Sequence, residues 1–155
     1  IGYEEITNIS NINFADASLN VEEDIIEVFN LIQGRDDITG MIYRLYNAAF
    51  GRFPDKKGLQ YWITKNLTNE NSYRQTAASF IISDEFRNLY ELDSTDETYI
   101  TNLYSNVLGR PSDKEGFNYW NYQLANGIEN RAEVLMGFAE SQENKSIFSD
   151  ETGFF

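Results

Sequence analysis

Apolar residues fall at helical spacing through most of this chain. Met41, Leu45, Ala48 and Ala49 form a stripe that repeats every three or four positions, as one face of an α-helix does. Gly51 stands where a C-terminal cap ends such a helix, Pro54 stops any continuation, and Asp55 is placed to cap the next one. That second helix carries Leu59, Trp62, Ile63 and Leu67. Asn71 is read as the cap of a third, bearing Ala77, Ala78, Phe80 and Ile81, and Ser83 as the cap of a short fourth, Asp84 to Tyr90.

The same plan follows again. Ser94 with Glu97 reads as a capping box leading into Ile100, Leu103, Tyr104, Val107 and Leu108, with Gly109 closing the helix. Asp113 opens the next, which carries Phe117, Trp120 and Leu124 and ends at Asn126-Gly127. Asn130 with Glu133 forms another box-like start before Val134, Leu135 and Phe138. Ser141 is expected to cap a last short helix ending near Phe148.

Before this, Ile6, Ile9, Ile12 and Phe14 alternate with polar residues, as in strands or an irregular lead-in. Asn20 with Glu23 predicts a helix carrying Ile25, Val28, Phe29 and Ile32 and ending at Gly34, with a strand over Leu19–Val28 as the competing reading.

The two plans are one unit written twice. Leu45-Tyr46 recurs as Leu103-Tyr104, Gly51-Arg52 as Gly109-Arg110, Asp55-Lys56 as Asp113-Lys114, and Gly58 as Gly116. Tyr61-Trp62 recurs as Tyr119-Trp120, Phe80 as Phe138, Ser83 as Ser141 and Glu85 as Glu143. Every pair is separated by 58 residues, as 45 is from 103 and 85 from 143. A constant separation means that the copies align without a gap. The expected fold is all-α, two tandem multi-helix repeats packed together behind a strand-like or irregular lead-in. The division is 1–37 for the lead-in, 38–93 and 94–150 for the repeats, and 151–155 for the tail. The repeats should pack on each other, because neither ~50-residue half buries much surface alone.

Composition narrows the chemistry. Twelve Lys and Arg stand against 25 Asp and Glu, a net charge of −13 over 155 residues. Such a surface repels nucleic-acid phosphates and anionic lipid heads, so neither is an expected partner. No apolar run approaches the ~18 residues of a membrane span. The chain has neither cysteine nor histidine. Thiol chemistry, disulfides and catalysis by a histidine base are excluded, while a carboxylate-pair enzyme stays formally open. The first residue is Ile1 rather than Met, and no charged-then-apolar leader opens the chain, so a fragment of a longer protein is expected.

The run Gly51-Arg52-Phe53-Pro54-Asp55-Lys56-Lys57-Gly58-Leu59-Gln60-Tyr61-Trp62, with Leu45-Tyr46 before it, resembles the signature of a bacterial domain family of unknown function. That family is often compared with phycobilisome linkers. Phe80 through Phe86 is similar to its following segment, and the second copy carries the signature from Gly109-Arg110 to Tyr119-Trp120 and on through Gly137–Asn144. The resemblance covers about residues 38 to 150. It implies a place near the C-terminus of large secreted proteins of the calcium-binding-repeat (RTX) type, surface-layer proteins or adhesin-like proteins. It implies export, by a type I route with an uncleaved C-terminal signal, and no known catalytic residues. The second copy departs from the pattern with Pro111-Ser112-Asp113 where the first has Phe53-Pro54-Asp55. No glycine-rich calcium repeat occurs, and without cysteine no bilin can be attached covalently.

Three functions compete. The first is a non-catalytic structural and interaction module of a larger secreted or cell-surface protein, whose partner is a protein or a surface glycan. The second is a carbohydrate-binding module that stacks sugars on Tyr61 and Tyr119, with Arg52 and Arg110 as further ligand candidates. The plainer reading of these residues is structural: Trp62 and Trp120 anchor the core, while Arg52 and Arg110 pair with Asp55, Asp113, Glu85 or Glu143. The third is a glycosidase using Glu85 and Glu143, disfavoured because equivalent positions imply matched environments where acid and base need contrasting ones. No metal or other cofactor is expected. Asp55 and Asp113 precede a glycine by three residues, but Lys56, Lys57 and Lys114 occupy the intervening places of any calcium loop. The remaining acidic runs, Glu22-Glu23-Asp24 and Asp36-Asp37, are read as solvated surface where calcium binding would be weak.

Overall fold

A computed structural model describes residues 10–13, 18–91 and 94–155 of the chain. Ile6, Ile9 and Phe14 of the strand-like lead-in lie outside the described residues. Two short strands, β1 (Asn11–Asn13) and β2 (Ser18–Asn20), pair antiparallel with Ile12 opposite Leu19. Asn20 then caps a helical start as its sequence suggests, its side chain accepting from the backbone N–H groups of Glu22 and Glu23. The turns that follow are not the single helix expected. Val21–Ile26 winds as a π-helix, and only α1 (Glu27–Phe29) is α-helical, so the element ends before Ile32 and Gly34.

The first copy follows as α2 (Ile38–Phe50), α3 (Lys56–Leu67), α4 (Tyr73–Ile81) and α5 (Asp84–Tyr90). The second is α6 (Asp96–Leu108), α7 (Lys114–Ala125), α8 (Arg131–Ala139) and α9 (Gln142–Thr152). Gly51 and Gly109 end α2 and α6 in the left-handed conformation, φ 61° and 64°, which glycine adopts without a Cβ penalty. Asp55, Ser83, Asp113, Asn130 and Ser141 cap the helices assigned to them.

Three local readings are corrected. Ser72, not Asn71, caps α4, because Gln75 stands three residues on and closes the box. Thr95, not Ser94, caps α6, accepting from the Thr98 N–H. The last helix runs on past Phe148 to Thr152. The acidic residues Glu22, Glu23, Asp24 and Asp36 are exposed, as expected, and two of the acidic side chains also bond locally. Asp37 caps α2 by accepting from Thr39 and Gly40, and Asp24 accepts from the Asn20 N–H at 2.8 Å.

Two apolar clusters hold the molecule together. The larger joins the copies, with Leu45, Ala48, Ala49 and Phe80 of the first against Tyr99, Leu103, Leu135 and Phe138 of the second. The smaller draws Val28 and Ile32 of the lead-in onto Ile42, Tyr43, Leu59 and Ile63, and takes Phe148 from the last helix. Phe53 explains the shifted proline. Its ring lies edge-on to Phe29 at 5.3 Å and to Tyr43 at 6.0 Å, so the first copy has an aromatic that receives the lead-in where the second has exposed Pro111.

The junction of the copies carries a buried charge. Arg44 of α2 is 1% exposed and grips Glu140, just beyond α8, through Nη2 at 2.7 and 2.8 Å and Nε at 3.2 Å. Its Nη1 donates to the Arg35 carbonyl at 2.6 Å, and its guanidinium lies over the Phe148 ring. The Tyr73 hydroxyl adds a bond to Glu140 at 3.3 Å. At the positions 58 residues away stand Asn102 and Ile82, so this pair exists once and belongs to the junction rather than to the repeat.

Candidate functional site

The repeated signature folds into the same cluster in each copy. In the first, Tyr46 on α2 donates from its hydroxyl to Asp55 Oδ2 at 2.9 Å, and Asp55 Oδ1 accepts from the Gly58 N–H at 2.7 Å to start α3. Arg52 follows the cap glycine, lies over the Tyr46 ring, and donates to the Tyr46 hydroxyl at 3.1 Å. It also reaches Glu85 in the first turn of α5 through Nε at 2.5 Å and Nη2 at 3.2 Å. In the second copy, Arg110 lies over Tyr104 and binds Glu143 through Nε at 2.6 Å and Nη2 at 2.7 Å. Asp113 accepts from the Gly116 N–H at 2.8 Å and from Arg110 at 3.4 Å. Arginine suits this place because its planar fork meets a carboxylate with two parallel bonds and stacks on a ring.

The signature glycines serve the same cluster. A Cβ on Gly116 would stand 2.0 Å from the Tyr104 hydroxyl, and one on Gly58 would stand 3.0 Å from that of Tyr46. The tyrosine, arginine, aspartate and glycine therefore interlock around one helix start.

Titration follows from these bonds. Burial pushes the Tyr46 hydroxyl up to about 12, with the Asp55 carboxylate adding to the rise. Burial opposes ionisation of Asp55, but the Gly58 N–H, the Tyr46 hydroxyl and Arg52 outweigh it and hold the carboxyl below its ordinary value. The Gly116 N–H depresses Asp113, and the Arg110 bonds depress Glu143. Each carboxylate is thus kept charged and occupied by its own copy. Glu85 and Glu143, the pair considered for glycoside chemistry, each face an arginine.

Trp62 lies edge-on to Phe80 at 5.1 Å, and Trp120 is tilted over Phe138 at 5.4 Å, both partly buried against the larger core. Gly137 lets Trp120 come close, since a Cβ there would meet the indole at 2.3 Å. Tyr61 and Tyr119 turn outward, 53% and 52% exposed. They sit on different copies, each edge-on to its own tryptophan. Tyr61 borders a shallow depression with Lys57, Gln60, Thr64, Lys65 and Glu70, all of the first copy. Among the described residues, no group of three or more acidic side chains could hold a metal ion, and no helix is long and apolar enough to cross a membrane.

Sequence reasoning missed Arg44 and Glu140. Their signal was present as a break in the repeat, with Asn102 and Ile82 at the equivalent positions.

No curated protein and no solved structure matches the chain. Residues 77–148 match a protein family described as Domain of unknown function (DUF4214), a stretch that begins in α4 and ends in α9. The second copy, with the last helices of the first, is therefore similar to a family whose function is not known.

Proposed function

We propose that the chain is a non-catalytic structural and interaction module of a larger secreted or cell-surface bacterial protein. The observation that carries this reading is how the signature is spent. Arg52 and Arg110 are held by Glu85 and Glu143 of their own copies, and Asp55 and Asp113 cap helices. A catalytic acid and base would need different surroundings, whereas these are matched. The acidic composition and the resemblance of the signature support an exported, calcium-repeat-associated parent protein. The partner in this reading is a protein or a surface glycan.

The test compares the parent chain with an Arg52→Met/Arg110→Met variant, measuring urea unfolding and turnover of a panel of chromogenic glycosides. Lower stability with no turnover in either protein is expected. Turnover by the parent that Glu85→Gln or Glu143→Gln abolishes would overturn the non-catalytic reading.

The half-exposed rings of Tyr61 and Tyr119 favour a second reading, a carbohydrate-binding module. Glycan-array binding that falls away in Tyr61→Ala and Tyr119→Ala, with unchanged melting, would favour it over the first.

A further inference from the structure

A polar cavity of about 250 Å³ lies where the two copies meet. Its wall includes Tyr43 and Asn47 from α2, Asn106 from the last turn of α6, and Asn144, Phe148 and Glu151 from α9. These residues do not repeat. Thr101 and Phe86 stand 58 residues from Tyr43 and Asn144, so the first copy has no counterpart of this site.

Three polar groups here have no hydrogen-bond or ion-pair partner among the described residues: the Tyr43 hydroxyl, the Asn47 amide and the Glu151 carboxylate. Tyr43 is only 2% exposed, its ring packed in the smaller core, and its hydroxyl has no protein partner where the residue lines the cavity. The wall is rich in acceptors. The last residues of α6, Asn106 to Leu108, line it, and the carbonyls of a helix's final turn lack intrahelical partners and carry the negative end of its dipole. Arg44 also lines the cavity, but Glu140 neutralises its charge and its donors are spent on Glu140 and the Arg35 carbonyl. Glu151 is left as the unbalanced charge. It stands at the exposed rim of the cavity, where desolvation on the protein side holds its carboxyl above the ordinary range.

We infer that this cavity binds a small organic ammonium, with Glu151 as counter-ion, Asn47, Asn144 and the Tyr43 hydroxyl as hydrogen-bond partners, and the Phe148 ring as apolar wall. The cavity is too roomy for a bare metal ion, and one carboxylate does not make the oxygen cage that calcium takes. An ammonium supplies what the wall lacks, donors and one positive charge. The net charge of −13 draws cations toward the molecule.

The test uses the whole 155-residue chain at low ionic strength, titrated with ethanolammonium chloride and followed by calorimetry and amide chemical shifts. Ethylene glycol serves as the neutral isostere and calcium chloride as the metal control. Saturable binding is expected, with shifts centred on α2, the end of α6 and α9. Glu151→Gln should weaken it roughly tenfold or more, the worth of one charge-assisted hydrogen bond. Tyr43→Phe, which keeps the ring and removes only the hydroxyl, should weaken it less while leaving the melting temperature in place. Absence of saturable binding overturns the inference, as does equal binding by Glu151→Gln or by ethylene glycol. Calcium that produces the same shifts and competes with the ammonium would also overturn it, by replacing an amine site with a metal site.

Discussion

Replacing Glu140 by alanine should be among the most damaging single changes in this molecule. The substitution removes both oxygens that receive Arg44 Nη2 at 2.7 and 2.8 Å, and leaves a guanidinium that is 1% exposed with one carbonyl acceptor and a phenyl face. Removing one partner of a buried ion pair costs about 3–5 kcal/mol, because the remaining charge stays buried and uncompensated. Glu140 itself is 23% exposed, so water can enter the space it vacates, and the lower end of that range, about 3 kcal/mol, applies. At an m-value of about 2 kcal/mol per M in urea, the midpoint should fall by about 1.5 M. Circular dichroism at 222 nm reads this directly. The decisive comparison is the double variant Arg44→Met/Glu140→Leu, in which no charge is left stranded. It should recover much of the loss, because an apolar pair of similar size often replaces a buried ion pair at little cost. Additive losses in the double variant, or a loss under about 1 kcal/mol for Glu140→Ala, would refute the reasoning, since neither fits a stranded charge.

Gly116→Ala should destabilise by about 1–3 kcal/mol through overpacking against the Tyr104 hydroxyl, whereas Gly58→Ala, with its nearest atoms near 3 Å, should be close to neutral as helix propensity offsets the crowding; melting temperatures of the two variants check this. Arg52→Met should cost only about 0–1 kcal/mol from its exposed ion pair and Arg110→Met should lower the melting temperature only slightly, effects that shrink in 1 M salt. Acid should weaken the fold in a defined window. Glu143, Asp113 and Asp55 are depressed below ordinary values of 4.5 and 3.8, and Asp36 is held at about 2 by its bonds to Lys145 and Arg35. Depressed carboxyls contribute stability that is present above the unfolded values and lost as pH falls through the folded ones, so melting temperature should drop from about pH 4.5 toward pH 2. Asp113→Asn, which keeps a good cap but cannot titrate, should flatten that drop.

The helices were legible because their ends are written in side chains whose bonds are local. Asp55, Ser83, Asp113, Asn130 and Ser141 each accept from an N–H three residues on, a reach that sequence spacing captures. Where two candidates were adjacent, a further bond decided between them. Ser72 prevails over Asn71 because the residue three beyond it is Gln75 and not Arg74. Thr95 prevails over Ser94 while Arg131 of the next helix pair binds both the Ser94 carbonyl and Asp96, a tertiary bond that no local pattern announces. The π-helical start has no periodic signature, because π-turns do not follow the 3.6-residue repeat. Of the signature cluster, the arginine pairing was readable as a set of candidate carboxylates, and geometry selected Glu85 and Glu143. The junction cavity was not readable, because its residues come from α2, α6 and α9, which are far apart in the chain, Tyr43 and Asn144 by 101 positions.

The arginine clusters and the junction pair differ in how much chain they close. Arg52 to Glu85 and Arg110 to Glu143 each span 33 residues, while Arg44 to Glu140 spans 96 and Asp36 to Lys145 spans 109. Loop-closure entropy rises with span, so on the way to the folded state each copy should form its own cluster before the junction closes. A contact that forms after the rate-limiting barrier leaves the folding rate nearly untouched and appears in the unfolding rate instead. The junction therefore acts as a latch on the finished molecule: weakening it should shorten the lifetime of the folded protein while leaving the speed at which the protein assembles almost unchanged.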